Sequence, residues 1–322
     1  MTNKQMDIND IYDKTIAMVK DKEKPIEASV ELFFIKESDN GNNILLYRPQ
    51  IDKGIPSDLI TFFTNAFQMK SNRDKIQEEY DVVMQHQGNN FVIVEKDKFD
   101  GTKIFWDLIE KEEYQTTMKG YSTEDFFAYG FKVKLSNDQW FAYIGELSSL
   151  SRLSKTKILG NLSDDRLKKV EKKDHIGFNK NMSMILSDDQ ILIKNIRIFE
   201  KCCDMDTEFI KQSKLVLESI KAHNAIKNID KLEITASDDP RIARRLTKLN
   251  NDPTRVSAFF GNIKNVNKVL KDKEFSEHFK GIKFDGKQLE YDEKLRQQFI
   301  TLIADAAYKS IVGNKKRIDK SL

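Results

Sequence analysis

Four basic residues in the C-terminal half have the type and spacing needed to hold an anionic ligand. Arg241, Arg244, Arg245 and Lys248 recur at i, i+3, i+4 and i+7, which places them on one face of a helix. Guanidinium groups hold phosphate oxygens in pairs, so such a face is typical of phosphate or nucleic-acid contacts. The alternative is a solvated helix face whose cations pair with acidic residues from elsewhere in the fold.

Further basic residues follow this helix and extend the same candidate site. Lys315, Lys316 and Arg317 lie near the C-terminal end, although a short basic tail by itself is more often simply solvated. From Arg241 onwards the chain has 19 Lys and Arg against 10 Asp and Glu, and the preceding residues carry a net charge of −6. A basic block on an otherwise acidic chain can localise a polyanion at one end.

No catalytic motif, metal-ligand pattern or cofactor fingerprint stands out. The adjacent Cys202 and Cys203 lack the spacing of a zinc site, and we expect two reduced thiols. Phosphate-binding glycine loops are missing from the sequence, as are nucleophile signatures. We therefore expect no cofactor, no metal and no catalytic residue. The histidines are far apart along the chain: His86, His175, His223 and His278.

A metal-dependent nuclease remains an alternative, because its acidic ligands can be scattered over a sheet. Asp81 before one predicted strand, with Glu95 and Lys96 at the end of the next, comes nearest to such an arrangement. Two acids and a lysine around a hairpin also occur by chance in a chain that is 33% charged. Two-metal chemistry would need further acids that the sequence does not place.

The elements that must position these residues alternate between helical and strand periodicity, which predicts an α+β fold. Residues 1–150 are predicted to form an antiparallel sheet-rich domain. Its hairpins join Phe126–Leu135 to Gln139–Ile144, and Val82–Met84 to Phe91–Val94. Residues 151–180 are predicted to be a basic connector with a short helix over Asp165–Val170.

Residues 181–322 are predicted to form a C-terminal domain of helices and hairpins. Ser187, Asp188 and Asp189 lie between two short apolar runs, which indicates a hairpin at the start of this domain. The other elements expected here are the helix over Phe209–Ile220, a strand at Lys231–Thr235, the helix Pro240–Leu249, a helix from Pro253, a hairpin joining Ile282–Phe284 to Gln288–Tyr291, and a closing helix that ends before Gly313.

The chain has no apolar run of the roughly 18 residues that a bilayer-spanning helix needs. Its first residues, Met1–Asp7, contain no apolar segment of a signal peptide. From these observations we expect a cytoplasmic protein.

Three segments stand out by their order and spacing: Met184–Glu200 leading into the next helix, Asp239–Leu249, and Phe284–Tyr291 with the closing helix and Ser310–Asn314. Together they resemble the KwaB-like family, which is named after a protein of the Kiwa anti-phage defence system. The similarity covers roughly residues 130–318 and consists of apolar and turn positions. No catalytic signature belongs to it.

This resemblance implies an antiviral defence protein that binds phage DNA without strong sequence preference. It also implies a membrane protein partner of the KwaA type, which would recruit the chain to the inner face of the cell membrane. A homo-oligomer stays open as a further assembly. The alternatives are the nuclease and a scaffold that holds a membrane sensor without binding DNA. If the helix binds phosphate, replacing Arg244 and Arg245 together by glutamate is expected to weaken duplex binding without changing thermal unfolding.

Overall fold

In the structure, a computed structural model, the chain forms two compact units. The described part of Met1–Tyr80 and His86–Asp204 forms unit 1, and that of Asp81–Gln85 and Met205–Leu322 forms unit 2. The described residues are 13, 30–38, 43–51, 55, 58–59, 77–84, 91–117, 121, 125–134, 139–149, 160–163, 166–169, 176–178, 182–310 and 313–319.

Unit 1 is organised around a sheet that has nine strands among the described residues. Their spatial order is β3-β4-β13-β12-β7-β6-β1-β2-β5. Neighbouring strands are antiparallel except at the two edges, where β3 pairs with β4 and β2 with β5 in parallel. The strands are β1 (Val30–Glu37), β2 (Ile44–Tyr47), β3 (Gln77–Glu79), β4 (Phe91–Glu95), β5 (Tyr114–Gln115), β6 (Ala128–Lys134), β7 (Trp140–Glu146), β12 (Met182–Ser187) and β13 (Gln190–Ile193).

Apolar side chains cover both faces of this sheet. Phe34, Phe131 and Tyr143 belong to a buried cluster on one face. On the other face lies α1 (Asp100–Glu110), whose Trp106 packs against Trp140 with ring centroids 4.9 Å apart. A second helix of this unit is α2 (Ile196–Cys202). Burial on both faces explains why the central strands are almost continuously apolar rather than alternating.

A buried lysine fixes the end of α1 against the sheet. Lys132 of β6 is only 2% exposed, and its Nζ donates to the carbonyl oxygens of Ile109 and Glu110 and to Oε1 of Glu112, each at 3.0 Å. The last carbonyls of a helix have no partner within the helix, and a cation there also opposes the negative end of the helix dipole.

The described part of residues 151–180 contributes three short strands to two small sheets. In one sheet, β8 (Ser148–Ser149) pairs with β11 (Ile176–Gly177), and in the other β9 (Gly160–Ser163) pairs with β10 (Arg166–Lys169). The helix predicted over Asp165–Val170 is therefore wrong. The hairpin predicted from Val82–Met84 is wrong too, because β4 pairs with β3 while Val82–Met84 form a bend.

The hairpin of β12 and β13 forms as predicted, with Met184 opposite Ile193. It joins the sheet of unit 1, however, since β12 pairs with β7 and β13 with β4. The hairpin and the residues up to Asp204 therefore belong to unit 1, and the longer stretch of unit 2 begins at Met205. The buried strand edges of β7 and β4 supply the hydrogen-bond partners that this apolar hairpin needs.

Unit 2 is a helical layer with two small sheets around one apolar core. The sheets are β14 (Ile226–Lys227) with β16 (Leu289–Glu290) and β15 (Lys283–Phe284), and β17 (Ala307–Lys309) with β18 (Lys316–Ile318). Its α-helices among the described residues are α3 (Met205–Lys221), α4 (Ile229–Asp238), α5 (Pro240–Thr247), α6 (Pro253–Gly261), α7 (Val266–Lys271) and α8 (Arg296–Ile303). Together the two units confirm the α+β class.

Two predictions for unit 2 are wrong. Lys231–Thr235, expected as a strand, lies in α4, where Leu232, Thr235 and Ala236 are buried at helical spacing. The closing helix ends at Ile303 rather than before Gly313, and the residues that follow form the two-stranded sheet of β17 and β18. Of the basic residues near the C-terminus, Lys316 and Arg317 thus lie in a strand, and Lys315 directly precedes it.

Candidate nucleic-acid interface

The N-terminus of α5 holds the first predicted contact, Arg241, in an ion pair. Asp239 caps the helix, because its Oδ1 accepts a hydrogen bond from the Arg241 amide at 3.1 Å. The Arg241 guanidinium returns to the same carboxylate, with Nε 3.0 Å from Oδ1 and Nη2 3.2 Å from Oδ2. This pairing holds the pKa of the Asp239 carboxyl below its usual range. Arg241 is exposed, but its charge is already matched by a neighbour.

Arg244 and Arg245 follow on α5 and contact two different helices. The guanidinium of Arg244 lies 5.0 Å from the ring centroid of Phe209 on α3. Arg245 is partly buried and donates from Nη2 to Oγ1 of Thr301 on α8 at 3.0 Å. Its Nε is buried with no acceptor in the described part of the chain, and burial lowers the pKa of its guanidinium. Both arginines therefore take part in helix packing.

Lys248 completes the predicted set in the 3-10 turn Lys248–Asn251 that continues α5. It is partly buried. The structure thus brings Arg241, Arg244, Arg245 and Lys248 onto one helix as the spacing predicted. It does not leave all four as free cations on an open surface, since neighbouring groups engage the three arginines.

A cavity of about 630 Å³ opens beside the elbow between α4 and α5. Its lining contains three cations and three acids, and these formal charges balance: Lys231, Arg241 and Arg296 against Asp238, Asp239 and Glu293. Arg296 Nη2 lies 3.5 Å from Oδ2 of Asp239, so this carboxylate lies between two guanidinium groups. The cavity therefore has no cationic surplus that would attract a polyanion.

Of the other three predicted contacts, Lys316 and Arg317 lie in β18 of the ribbon formed by β17 and β18, and Lys315 directly precedes β18. Lys316 is partly buried, and its Nζ lies 2.5 Å from Oδ2 of Asp272 and 3.5 Å from Oε1 of Glu274. Lys315 and Arg317 are exposed and have no ion pair within the residues that the structure describes. The backbone pairing extends to Lys315, whose carbonyl oxygen accepts a hydrogen bond from Ser310 N at 2.8 Å. Because side chains alternate along paired strands, Lys315 and Arg317 share one face while Lys316 points to the other.

Register adds one residue to this ribbon that the sequence did not indicate. Tyr308 lies directly opposite Arg317, and its side chain is exposed. Residues 308–310 and 315–317 lack the apolar–polar alternation of a strand, so the sequence carries no clear local signal for this pairing.

The residues considered for metal or redox chemistry are buried or bonded to neighbouring residues of the fold. Both thiols, Cys202 and Cys203, are buried, and burial raises the pKa of each. Across the described ranges there is no group of three or more His, Cys, Asp or Glu side chains placed to bind a metal ion. Asp81 accepts a hydrogen bond from the Val83 amide at 2.9 Å, and Lys96 pairs with Asp189 at 2.6 Å.

The described histidines pack against rings. His223 stacks on Phe260 with centroids 5.1 Å apart, and His278 lies edge-on to Phe279 at 4.9 Å. His86 and His175 lie outside the described residues. In the described part of the chain, no helix combines the length and the apolar composition needed to cross a bilayer.

Comparison with known proteins gives one match. The model of a protein family described as Kiwa protein KwaB-like matches residues 123–313, which is more than half of the chain. The matched region contains α5 and β17 and ends before β18. No curated protein and no solved structure matches the chain.

Proposed function

The chain belongs to the Kiwa protein KwaB-like family, and on this premise we propose that it binds DNA through phosphate contacts without strong sequence specificity. Membership of this family implies a component of Kiwa anti-phage defence. In the proposed role the protein acts together with a membrane-embedded partner of the KwaA type, which recruits it from the cytoplasm to the membrane.

The observation that carries the DNA-binding proposal is the outward face of the β17–β18 ribbon. Lys315 and Arg317 are exposed there, and no carboxylate among the described residues neutralises them. Contacts to phosphates position a protein on DNA but carry no sequence information, so such a face binds different sequences with similar affinity. The basic surplus from Arg241 onwards adds a longer-range attraction between this part of the chain and a polyanion.

The basic residues of α5 contribute less to the proposed DNA binding than their spacing along the helix predicts. Arg241 can reach a phosphate only by sharing or leaving Asp239, which it now holds with two hydrogen bonds. Arg245 would have to leave Thr301 and a partly buried position. We therefore assign the ribbon as the primary phosphate contact and Arg241 as a secondary one.

Fluorescence anisotropy with two labelled duplexes of unrelated sequence tests this proposal. Wild type should bind both with similar affinity. Lys315→Ala with Arg317→Ala should weaken binding by roughly tenfold, because two exposed contacts contribute up to about 1 kcal/mol each. The matched control is Lys103→Ala with Lys111→Ala, which removes two exposed cations from unit 1, one within α1 and one directly after it.

Three results of this experiment contradict the proposal. Equal weakening by the control pair means that net charge, and not the ribbon, governs binding. Strong preference for one duplex contradicts the absence of sequence specificity. If wild type binds neither duplex but still co-purifies with a membrane partner, the chain is a scaffold in the defence complex.

A separate cleavage assay tests the nuclease alternative. Plasmid incubated with the protein and Mg²⁺ or Mn²⁺ should stay intact if the protein binds DNA without cleaving it.

A further inference from the structure

The outward face of the β17–β18 ribbon combines an aromatic ring with two cations. Tyr308 lies in the middle of β17, and its side chain is 45% exposed. Its partner across the ribbon is Arg317, and the backbone pairing continues from Ser310 N to Lys315 O at 2.8 Å. Directly opposed side chains lie about 5 Å apart, and residues two apart on a strand about 6.6 Å apart. Tyr308, Lys315 and Arg317 therefore form one continuous patch.

The inward face of the ribbon is anchored, which fixes the direction of the outward face. Ala307 and Ile318, a cross-strand pair, pack against the apolar core of unit 2. Lys316 binds Asp272 in the segment after α7. Rotation of the ribbon would break these contacts. Because a one-residue slip in register would reverse every side chain, the anchored pairs also fix Tyr308 on the outside.

Tyr308 differs from the other aromatic residues of unit 2. Phe260, Phe279, Tyr291 and Phe299 are buried in the core, and Phe259 packs against it. Among the described residues of unit 2, Tyr308 is the tyrosine or phenylalanine that is exposed rather than buried or half-buried, and it has no ring contact or hydrogen-bond partner there. An exposed ring flanked by cations is the arrangement with which proteins stack unpaired bases and hold the adjoining phosphates.

We propose that the outward face of the β17–β18 ribbon binds single-stranded DNA, with Tyr308 stacked on an unpaired base and Lys315 and Arg317 on flanking phosphates. This inference rests on the proposed DNA-binding function and adds to it a preference for unpaired strands. In a duplex the faces of the bases are covered by their neighbours, so the ring gains nothing there, while the two cations serve both forms. Stacking also depends little on base identity, in keeping with binding of many sequences.

The test compares three variants on two probes, a labelled oligo(dT) of about 20 nucleotides and a blunt duplex of the same length. Tyr308→Ala should weaken oligo(dT) binding by about 5- to 150-fold, the range for loss of one stacked base. Its duplex affinity should change by less than about twofold. Tyr308→Phe keeps the ring and should bind both probes as wild type does. Arg317→Ala should weaken binding to both.

Salt dependence gives a second readout that does not depend on absolute affinity. Tyr308→Ala removes no charge, so the slope of log affinity against log salt should be that of wild type. Arg317→Ala should lower the slope by about 1. A fluorescent base analogue within the oligonucleotide should be quenched by wild type and Tyr308→Phe but not by Tyr308→Ala. Thermal unfolding of each variant shows that the ribbon remains folded.

The possible failures are distinguishable. If wild type binds neither probe, the proposed DNA-binding function is wrong and this inference falls with it. If wild type binds both and Tyr308→Ala binds oligo(dT) equally well, DNA binding stands and the stacking role is refuted. A similar loss on both probes also refutes it. Tighter binding of polyglutamate than of oligo(dT), with the same dependence on Tyr308, makes the patch a protein-docking surface and overturns the inference.

Discussion

Replacing Arg245 and Arg317 by methionine, one at a time, separates an arginine that packs from an arginine that binds. Arg245→Met loses a hydrogen bond to Thr301, about 1 kcal/mol, but it also removes a buried Nε that has no described acceptor. Thr301 keeps its hydrogen bond to the carbonyl oxygen of Gln297 at 2.9 Å. These opposing effects should leave the free energy of unfolding within about 1 kcal/mol of wild type.

The affinity for DNA should be nearly unchanged in Arg245→Met and lower in Arg317→Met. Arg245→Met should bind duplex DNA within about twofold of wild type, because the guanidinium of Arg245 is partly buried and donates a hydrogen bond to Thr301 of α8. Arg317→Met should weaken binding by about three- to fivefold, the equivalent of about 0.6–1 kcal/mol for one exposed charge contact. Its unfolding should stay within about 0.5 kcal/mol of wild type, as for most surface substitutions. Anisotropy and denaturant titration measure the two quantities on the same preparations.

The paired charge reversal Arg244→Glu with Arg245→Glu has a different expected outcome from the one that sequence alone predicts. It removes the contact of Arg244 with Phe209 and places a carboxylate in the partly buried position of Arg245. We expect a loss of about 2–3 kcal/mol in the free energy of unfolding. If this variant unfolds like wild type while Arg245→Met abolishes DNA binding, Arg245 is a ligand contact and the reasoning here is refuted.

Two further predictions concern single side chains. Lys132→Met should destabilise unit 1 by about 2–4 kcal/mol, because two helix-end carbonyls lose their donor. Lys134 is partly exposed, so Lys134→Met should lower the free energy of unfolding by less than about 1 kcal/mol in the same denaturant titration. Asp239→Ala should lower stability by about 1–2 kcal/mol through loss of the α5 cap. Since folding lowers the pKa of Asp239, its charge contribution is fully present above the unfolded pKa of about 4 and is lost progressively as the pH falls through the lower folded pKa, so the stability difference between wild type and Asp239→Ala should shrink over that range.

Local signals in the sequence predicted much of the secondary structure. The turn Ser187–Asp189 between two apolar runs predicted the β12–β13 hairpin, and Asp188 and Asp189 adopt the positive φ angles, 49° and 63°, that such a turn requires. The Asp239-Pro240 pair predicted the start of α5, where Asp239 is the cap. The turn and the helix cap are formed by residues adjacent in the sequence, so local sequence patterns are sufficient to predict them.

Features that depend on distant partners were not predictable in this way. The β12–β13 hairpin belongs to unit 1 because β4, about 100 residues earlier, pairs with β13. Spacing placed the α5 cations on one stripe, but only the fold shows that Phe209 and Thr301 meet two of them. Gly313 is equally suited to a helix end or a hairpin, and the tertiary pairing of Tyr308 with Arg317 decides between these alternatives.

The salt dependence of duplex binding tests the central claim most directly. For a protein held by phosphate contacts, log affinity falls linearly with log salt, by about 0.9 for each phosphate neutralised. Wild type should show the same slope on two unrelated duplexes, and Lys315→Ala with Arg317→Ala should reduce that slope by about 2. A slope that is unchanged in this double variant, or an affinity that does not depend on salt, would contradict phosphate binding by the β17–β18 ribbon.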